Sequence, residues 1–227
     1  MLPKTKDKGV FASKELWASI RTDPAFVELV RLARVTNALA LAYPPLLVSL
    51  EDQSPAARRD RFVAMAYAGS LLHEGLIVAQ GLGKHFRHLK QYKKGFARLF
   101  SDKTIKEFRK KTLSKLRDEL VFHVDRESVA QGLRQFPDAE TLIATSVNFR
   151  QGDIYFDLAD EIVLDYLYGH AETEEEYLAE VGKFIERIAD LLNLYMRASH
   201  SLISAALNEL GCHIKPFERP DAIPDAG

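Results

Sequence analysis

The stretch TIKEFRKKTLSKLRDELVFHVD, residues 104–125, fixes the fold class of the surrounding chain. Its branched apolar residues recur at intervals of three and four, which is the spacing of one face of an α-helix. At about 100° per residue they form one narrow stripe. The stripe consists of Leu113, Leu116, Leu120 and Val124. Because Ser101-Asp102-Lys103 opens the pattern, the sequence predicts a helix from about residue 103 to residue 124.

Two polar residues flank this apolar stripe. Arg117 lies about 60° to one side of Leu120 and His123 about 60° to the other, at the same ideal rotation per residue. Both side chains are therefore expected on a half-buried face, where they need polar partners. A second subunit, a phosphate group or a neighbouring helix would each supply such partners, and the sequence leaves these three possibilities open.

Outside this stretch, capping residues and apolar spacing predict further helices. The predicted helix starts are at Ser13, Asp23-Pro24 and Ser54-Pro55. The helix beginning at Ser54-Pro55 is expected to end near Gly81, a short basic helix follows over 89–100, and a long amphipathic helix runs over 174–210. Residues 141–157 instead have the β-branched and turn residues of a small inserted β-hairpin. The sequence thus predicts an all-α helical bundle carrying that hairpin.

The length and composition fit one helical domain over residues 10–215, with disordered tails at 1–9 and 216–227. The single cysteine, Cys212, excludes an intrachain disulfide, which fits a reducing cytoplasm. No apolar run approaches the roughly 18 residues that a membrane span requires. We therefore expect a cytoplasmic protein without a membrane segment.

Charge is distributed unevenly along the chain. Thirteen lysines and arginines stand against two acids between Lys84 and Arg117, a net charge of +11. Since the whole chain carries −1, the remainder carries about −12. Clustered cations of this kind are typical of phosphate-binding surfaces. The candidate RNA- or phosphate-binding residues in this run are Lys94, Arg98, Arg109, Lys110 and Lys111.

The segment Arg117-Asp118-Glu-Leu-Val-Phe-His123 resembles the signature of the HEPN superfamily, the higher eukaryotes and prokaryotes nucleotide-binding domains. That signature is an arginine, four to six residues and a histidine, often with Asn, Asp or His directly after the arginine. The resemblance implies a helical bundle. Many members are metal-independent ribonucleases of toxin–antitoxin, abortive-infection and CRISPR systems, and two motifs commonly meet in one cleft of a homodimer.

The resemblance also implies roles for individual residues. Arg117 would bind the scissile phosphate, His123 would assist proton transfer, and a ribose 2′-hydroxyl would attack the phosphorus. Asp118 occupies the favoured polar position after the arginine. A subset of the family has a tyrosine two residues after the histidine, where a nucleotidyltransferase partner modifies it. Asp125 stands there in this chain, which disfavours that subtype, although an antitoxin-like protein partner remains an expectation.

Several alternatives compete with the ribonuclease interpretation. Arg117 and His123 could be structural, in a non-catalytic nucleotide- or partner-binding module or in a helical scaffold. The basic run could be a solvated face, or it could dock on the acidic C-terminal half of another subunit. The aromatic residues within the run would then form core, whereas in an RNA-binding protein they would stack on bases. These aromatic residues are Phe86, Tyr92 and Phe96.

A metal site is a further alternative, since His85 and His88 lie three residues apart and His73 precedes Glu74. No paired di-iron motif, Walker loop or dinucleotide fingerprint is present, so we expect no metal and no cofactor. The second predicted helix also carries polar residues at helical spacing, which the sequence does not place relative to Arg117. These residues are Arg31, Arg34 and Asn37.

Overall fold

The computed structural model describes residues 7–46, 55–121 and 173–217, and these residues are mostly helical. The elements are β1 (Asp7–Phe11), α1 (Lys14–Ile20), α2 (Pro24–Leu46), α3 (Pro55–Phe86), α4 (Lys90–Tyr92), π1 (Lys93–Ala97), α5 (Arg98–Ser101), α6 (Lys103–Phe108), π2 (Arg109–Leu113), π3 (Leu116–Val121), α7 (Glu174–Glu209) and β2 (His213–Phe217). The predicted helical class is confirmed. The hairpin predicted over 141–157, and His123, lie outside the described residues.

Capping side chains start the helices where the sequence places them. Ser13 Oγ accepts a hydrogen bond from the backbone N–H of Leu16 at 3.1 Å, and Asp23 Oδ1 accepts one from Ala25 at 2.7 Å. α3 begins at Pro55, also as predicted. Its predicted end near Gly81 is wrong, because α3 continues to Phe86 with the glycines inside it.

The predicted helix around Arg117 is present from Lys103 to Val121, and we call residues 103–121 the basic helix. Asp102 caps it, since its Oδ1 accepts hydrogen bonds from Thr104 N at 2.8 Å and Ile105 N at 3.1 Å. Two π-helical segments, π2 and π3, interrupt its α-helical geometry. The sequence did not indicate these wider turns, which are frequent at functional sites.

The chain ends of the helical domain differ from the sequence prediction. Asp7–Phe11 pairs antiparallel with His213–Phe217, so residues 7–9 and 216–217, predicted as parts of disordered tails, are strand residues. Gly211, at φ +86, ends α7 in the left-handed conformation that glycine adopts readily. Cys212 N then donates to Leu207 O at 2.9 Å, and the chain turns back toward β1.

The core is built around α3, which packs against α2, α7 and the basic helix. Glycines on α3 allow these neighbours to approach closely. A Cβ at Gly69 would lie 2.7 Å from Leu116 Cδ1, and a Cβ at Gly75 would lie 2.5 Å from the Tyr195 hydroxyl oxygen. Both of these large side chains are fully buried. Because Gly69 and Gly75 have no side chains, the basic helix and α7 can pack closely against α3.

The aromatic residues of the basic run belong to this core. Phe86, Tyr92 and Phe96 are at most 5% exposed. The Phe96 ring packs edge-on against Tyr195 with 5.6 Å between centroids. Base stacking by these aromatic residues is therefore excluded, because hydrophobic packing already covers their rings. No helix within the described ranges is both long and apolar enough to cross a bilayer.

Gly75→Ala should lower the free energy of unfolding by about 1–3 kcal/mol, the usual cost of overpacking a core. The added methyl group would overlap the fully buried Tyr195 ring. Gly182→Ala in α7 is the matched control, because a Cβ there meets nothing within 4 Å. That change should raise the free energy of unfolding by about 0.5–1 kcal/mol through helix propensity. Urea unfolding measures both, and equal effects of the two substitutions would contradict the packing described for α3.

Candidate functional site

The Arg117 side chain crosses from the basic helix to α3. Its Nε donates to Glu74 Oε1 at 2.7 Å, and its Nη1 donates to Asp118 Oδ1. These bonds, with Asp118 as the stronger influence, raise the pKa of the guanidinium further above its already high value. The side chain remains 36% exposed, so the predicted half-buried position beside the apolar stripe is confirmed.

A second arginine lies on the same face of the basic helix, about two turns before Arg117. Arg109 is half-buried, and its Nη1 donates to Gln80 Oε1 of α3 at 3.3 Å. Burial lowers the pKa of its guanidinium, which remains protonated at any ordinary pH. The two arginines therefore bond to the same neighbouring helix through different acceptors.

His73 of α3 lies within electrostatic range of both arginines and both carboxylates. Burial, and next the charge of Arg109, lower the pKa of its imidazole, while Asp118 and Glu74 act in the opposite direction. Its Nδ1 is buried and has no hydrogen-bond partner among the described residues. The imidazole is consequently neutral at pH 7, and a neutral imidazole can accept a proton. We call His73, Glu74, Arg109, Arg117 and Asp118 the Arg117 cluster.

Packing on the apolar side of the basic helix holds this cluster in register. Leu113 and Leu116 are fully buried, and Leu116 occupies the space that the absent side chain of Gly69 leaves on α3. Because Arg117 directly follows Leu116, this close approach brings its guanidinium to Glu74, one helical turn and one residue beyond Gly69. The Leu113 and Leu116 part of the predicted apolar stripe is thus confirmed.

The predicted site residues divide between two surfaces. Arg117, Asp118 and Arg109 come together in the Arg117 cluster, while Lys110 and Lys111 are exposed elsewhere on the basic helix. Lys94 and Arg98 lie in a separate cleft between the 90–102 segment and α7. His123 lies outside the described residues, so the described site does not include it.

The separate cleft has a volume of about 630 Å³ and a basic rim. Its charged lining residues, which we call its rim, are four cations and one acid, namely Lys90, Lys94, Arg98, Arg197 and Asp102. Its larger apolar lining residues, which we call its floor, are Leu99, Ile105 and Leu194. We call it the basic cleft. The cations at positions 90–98 belong to the basic run that was recognised in the sequence. Arg197 is distant in sequence, and only the fold brings it to the same cleft.

Sequence reasoning about Arg117 missed two members of its cluster. His73 and Glu74 were considered only as metal ligands. In the structure Glu74 bonds directly to Arg117, and the charges of Arg109 and Arg117 both lower the pKa of His73. A polar pair within an otherwise apolar stretch of α3 was the available signal. Its direction toward the basic helix depends on tertiary packing, which single-sequence periodicity does not specify.

The other residues named from the sequence lie elsewhere. His88 Nε2 is hydrogen-bonded to Glu209 at 2.9 Å, and within the described residues no group of three or more histidine, cysteine or carboxylate side chains could hold a metal ion. On α2, Arg31 bonds to Glu28 at 2.7 Å, and Arg34 and Asn37 are exposed. None of these α2 residues bonds to Arg117 in the described part of the chain.

A comparison with known protein families, with curated proteins and with solved structures finds no match for this chain.

His73→Gln should reduce the loss of stability on acidification. Because folding lowers the pKa of His73, the unfolded chain takes up a proton near pH 6.5 and the folded chain takes it up only at a lower pH. The folded wild type is therefore destabilised as the pH falls through and below 6.5, and the glutamine variant lacks this contribution. Urea unfolding of both proteins between pH 7.5 and 5 measures the difference. Parallel stability curves would contradict the lowered pKa.

Proposed function

We propose that this protein is a HEPN-like, metal-independent endoribonuclease in which Arg117 binds the scissile phosphate of RNA. The observation that carries the proposal is the Arg117 cluster, where two guanidinium groups lie near a neutral, partly buried imidazole. Phosphate binding and proton transfer require these two kinds of group. The signature Arg117-Asp118-x4-His123 supports the same assignment through its resemblance to the family.

The proposed reaction needs no metal ion. The 2′-oxygen of a ribose attacks the adjacent phosphorus, its proton passes to an imidazole, and the bond from phosphorus to the 5′-oxygen breaks. The departing 5′-oxygen takes up a proton, which leaves a 2′,3′-cyclic phosphate and a 5′-hydroxyl. Arg117 and Arg109 would stabilise the negative charge that develops on the phosphoryl oxygens. His123 is the imidazole that the resemblance implies, and His73 is a second candidate because it is neutral at pH 7.

Glu74 and Asp118 pair with Arg117 and therefore oppose phosphate binding to its guanidinium. The two carboxylates balance the charges of Arg109 and Arg117, so the cluster has no net charge when His73 is neutral. A phosphate would therefore have to compete with Glu74 for the Arg117 guanidinium. Both partners are about one-third exposed, and ion pairs exposed to this degree contribute only about 0.2–1 kcal/mol. A charge-assisted bond to phosphate is strong enough to replace such a pair.

Family resemblance further supports a homodimer that brings two Arg117 clusters to one cleft, with RNA as substrate and an antitoxin-like protein as regulator in a phage-defence or toxin setting. The excess positive charge between Lys84 and Arg117 favours RNA as the polyanion. Lys110 and Lys111, both exposed, are available to contact the RNA backbone beyond the cleavage point.

A second candidate function is a non-catalytic HEPN-like module or helical scaffold. The Glu74–Arg117 bond favours it, because that bond links α3 to the basic helix and satisfies the arginine within the chain. In such a protein Arg117 would stabilise the helix pair and would not contact a ligand. The two functions make opposite predictions for Glu74→Gln.

Chelator-resistant cleavage of single-stranded RNA tests the proposal. Arg117→Ala should lower the cleavage rate by about 100- to 1,000-fold, as expected for loss of a group that stabilises transition-state charge. His123→Ala should also abolish most of the activity. Lys106→Ala removes one exposed charge from the same helix and serves as the matched control, with an expected change below about threefold. Absence of cleavage by the wild-type protein would refute the nuclease assignment.

RNA binding by Glu74→Gln separates the two candidate functions. The substitution removes the charge that competes for Arg117, so RNA affinity should rise if Arg117 is a phosphate ligand. If Arg117 is structural, the variant should lose up to about 1 kcal/mol of stability without any gain in RNA affinity. Fluorescence anisotropy with 5′-labelled RNA and urea unfolding of the same sample distinguish these results.

A further inference from the structure

The basic cleft is a second site with its own chemistry. It lies between the 90–102 segment and α7, and neither Arg117 nor the other members of the Arg117 cluster line it. Its volume of about 630 Å³ is within the roughly 300–1,000 Å³ range of small-ligand sites. The cleft is therefore large enough for one small organic ligand.

The chain holds the cations of the cleft close together. Lys90, Lys94 and Arg98 follow one another at four-residue intervals and so project from one side of their segment. Arg197 faces them from α7. A Cβ at Gly95 would lie 2.9 Å from the Cβ of Ala198, so this glycine allows the 90–102 segment and α7 to approach closely where they line the cleft. The π-helical segment Lys93–Ala97 forms part of the same wall.

Within the described ranges, these cations have no acidic partners that would neutralise them. None of the four forms an ion pair with a carboxylate among the described residues, in contrast to Arg117 and Arg31. Among the described residues that line the cleft, Asp102 is the one acid, and its Oδ1 already caps the basic helix by accepting hydrogen bonds from Thr104 and Ile105. Four cations and one carboxylate leave a net charge of +3. This charge complements a polyanion with several closely spaced negative groups.

The floor of the cleft adds a requirement for an apolar part of the ligand. Leu194 is 48% exposed although it is a large hydrophobic residue, and it lines the cleft together with Leu99 and Ile105. A ligand that covers Leu194 would remove this apolar surface from water, which favours binding. Inorganic phosphate satisfies the charge of the site but cannot cover its floor.

We propose that the basic cleft binds a nucleoside polyphosphate, either as a free nucleotide or as the 5′-triphosphate end of an RNA chain. The phosphates, which carry about −3 to −4 at pH 7, would bond to Lys90, Lys94, Arg98 and Arg197. The nucleoside would lie over Leu194 and its neighbours. This assignment does not depend on the ribonuclease activity, because the two sites share no residue.

Calorimetric titration of the full chain in magnesium-free buffer with chelator tests the assignment. ATP should bind more tightly than ADP, ADP more tightly than AMP, and adenosine should show no binding at 1 mM. Lys94→Ala combined with Arg98→Ala should weaken ATP binding at least about tenfold. Lys93→Ala combined with Lys103→Ala is the matched control, since it removes the same charge from exposed positions that do not line the cleft. The control should change the affinity by less than about twofold.

Two further comparisons test whether the nucleoside contacts the floor, and whether the natural ligand is a free nucleotide or an RNA end. Leu194→Ser should weaken ATP binding but leave inorganic tripolyphosphate unaffected, because only the nucleoside covers the floor. If the RNA end is the natural ligand, a 5′-triphosphate oligonucleotide should bind more tightly than ATP, and its 5′-hydroxyl counterpart should bind at least tenfold more weakly. If the free nucleotide is the ligand, ATP should bind at least as tightly as the triphosphate oligonucleotide.

Three results would overturn the assignment. They are no binding of any polyphosphate at 1 mM by the wild type, equal weakening by the cleft and control double variants, and equal binding of ATP and adenosine. Equal binding of the 5′-triphosphate and 5′-hydroxyl RNAs would instead exclude the RNA end and identify the free nucleotide as the ligand. Circular dichroism melting of each variant verifies that it is folded before binding is compared. Loss of RNA cleavage in Arg117→Ala bears only on the proposed ribonuclease, so failure of one proposal is distinguishable from failure of the other.

Discussion

The arrangement of the helices depends on close approaches to the glycines of α3. Gly69 admits Leu116 of the basic helix, Gly75 admits Tyr195 of α7, and a Cβ at Gly83 would lie 2.5 Å from the Tyr92 hydroxyl. Three neighbouring segments thus pack closely against one helix, each at a glycine. Since protein cores are packed as densely as organic crystals, such contacts fix both the distance and the register of the neighbouring helices.

The candidate sites follow from this register. Leu116 against Gly69 sets Arg117 opposite Glu74, so the polar contacts of the Arg117 cluster depend on an apolar contact one residue away. The basic cleft forms in the same manner, where Gly95 lets its segment meet Ala198 on α7. In both places a basic residue directly adjoins, along the chain, a residue that packs closely against a neighbouring helix, Arg117 beside Leu116 and Lys94 beside Gly95. The close packing holds the backbone in place, and the charged side chains are the groups that would bind phosphate.

Local signals in the sequence predicted the helical class, the capping at Ser13 and Asp23, the start of the basic helix at residues 101–103, and the half-buried position of Arg117. These features depend on residues near one another in the chain, and the structure confirms them. The β1–β2 pair, the continuation of α3 beyond Gly81 and the partnership of Arg117 with Glu74 were not predicted. Each depends on a contact between distant segments, or on glycine serving as a packing surface where it would ordinarily end a helix.

The proposed function requires contact between the Arg117 guanidinium and an RNA phosphate. The most direct measurement follows the arginine Nε–Hε resonances by heteronuclear NMR while the protein is titrated with a fully 2′-fluorinated oligonucleotide, which cannot be cleaved through a 2′-hydroxyl. Arg31, which bonds to Glu28 on α2, is the internal reference. We expect the Arg117 resonance to shift until the RNA saturates the protein, while that of Arg31 stays fixed. An unmoved Arg117 resonance at saturating RNA would contradict contact between Arg117 and the phosphate.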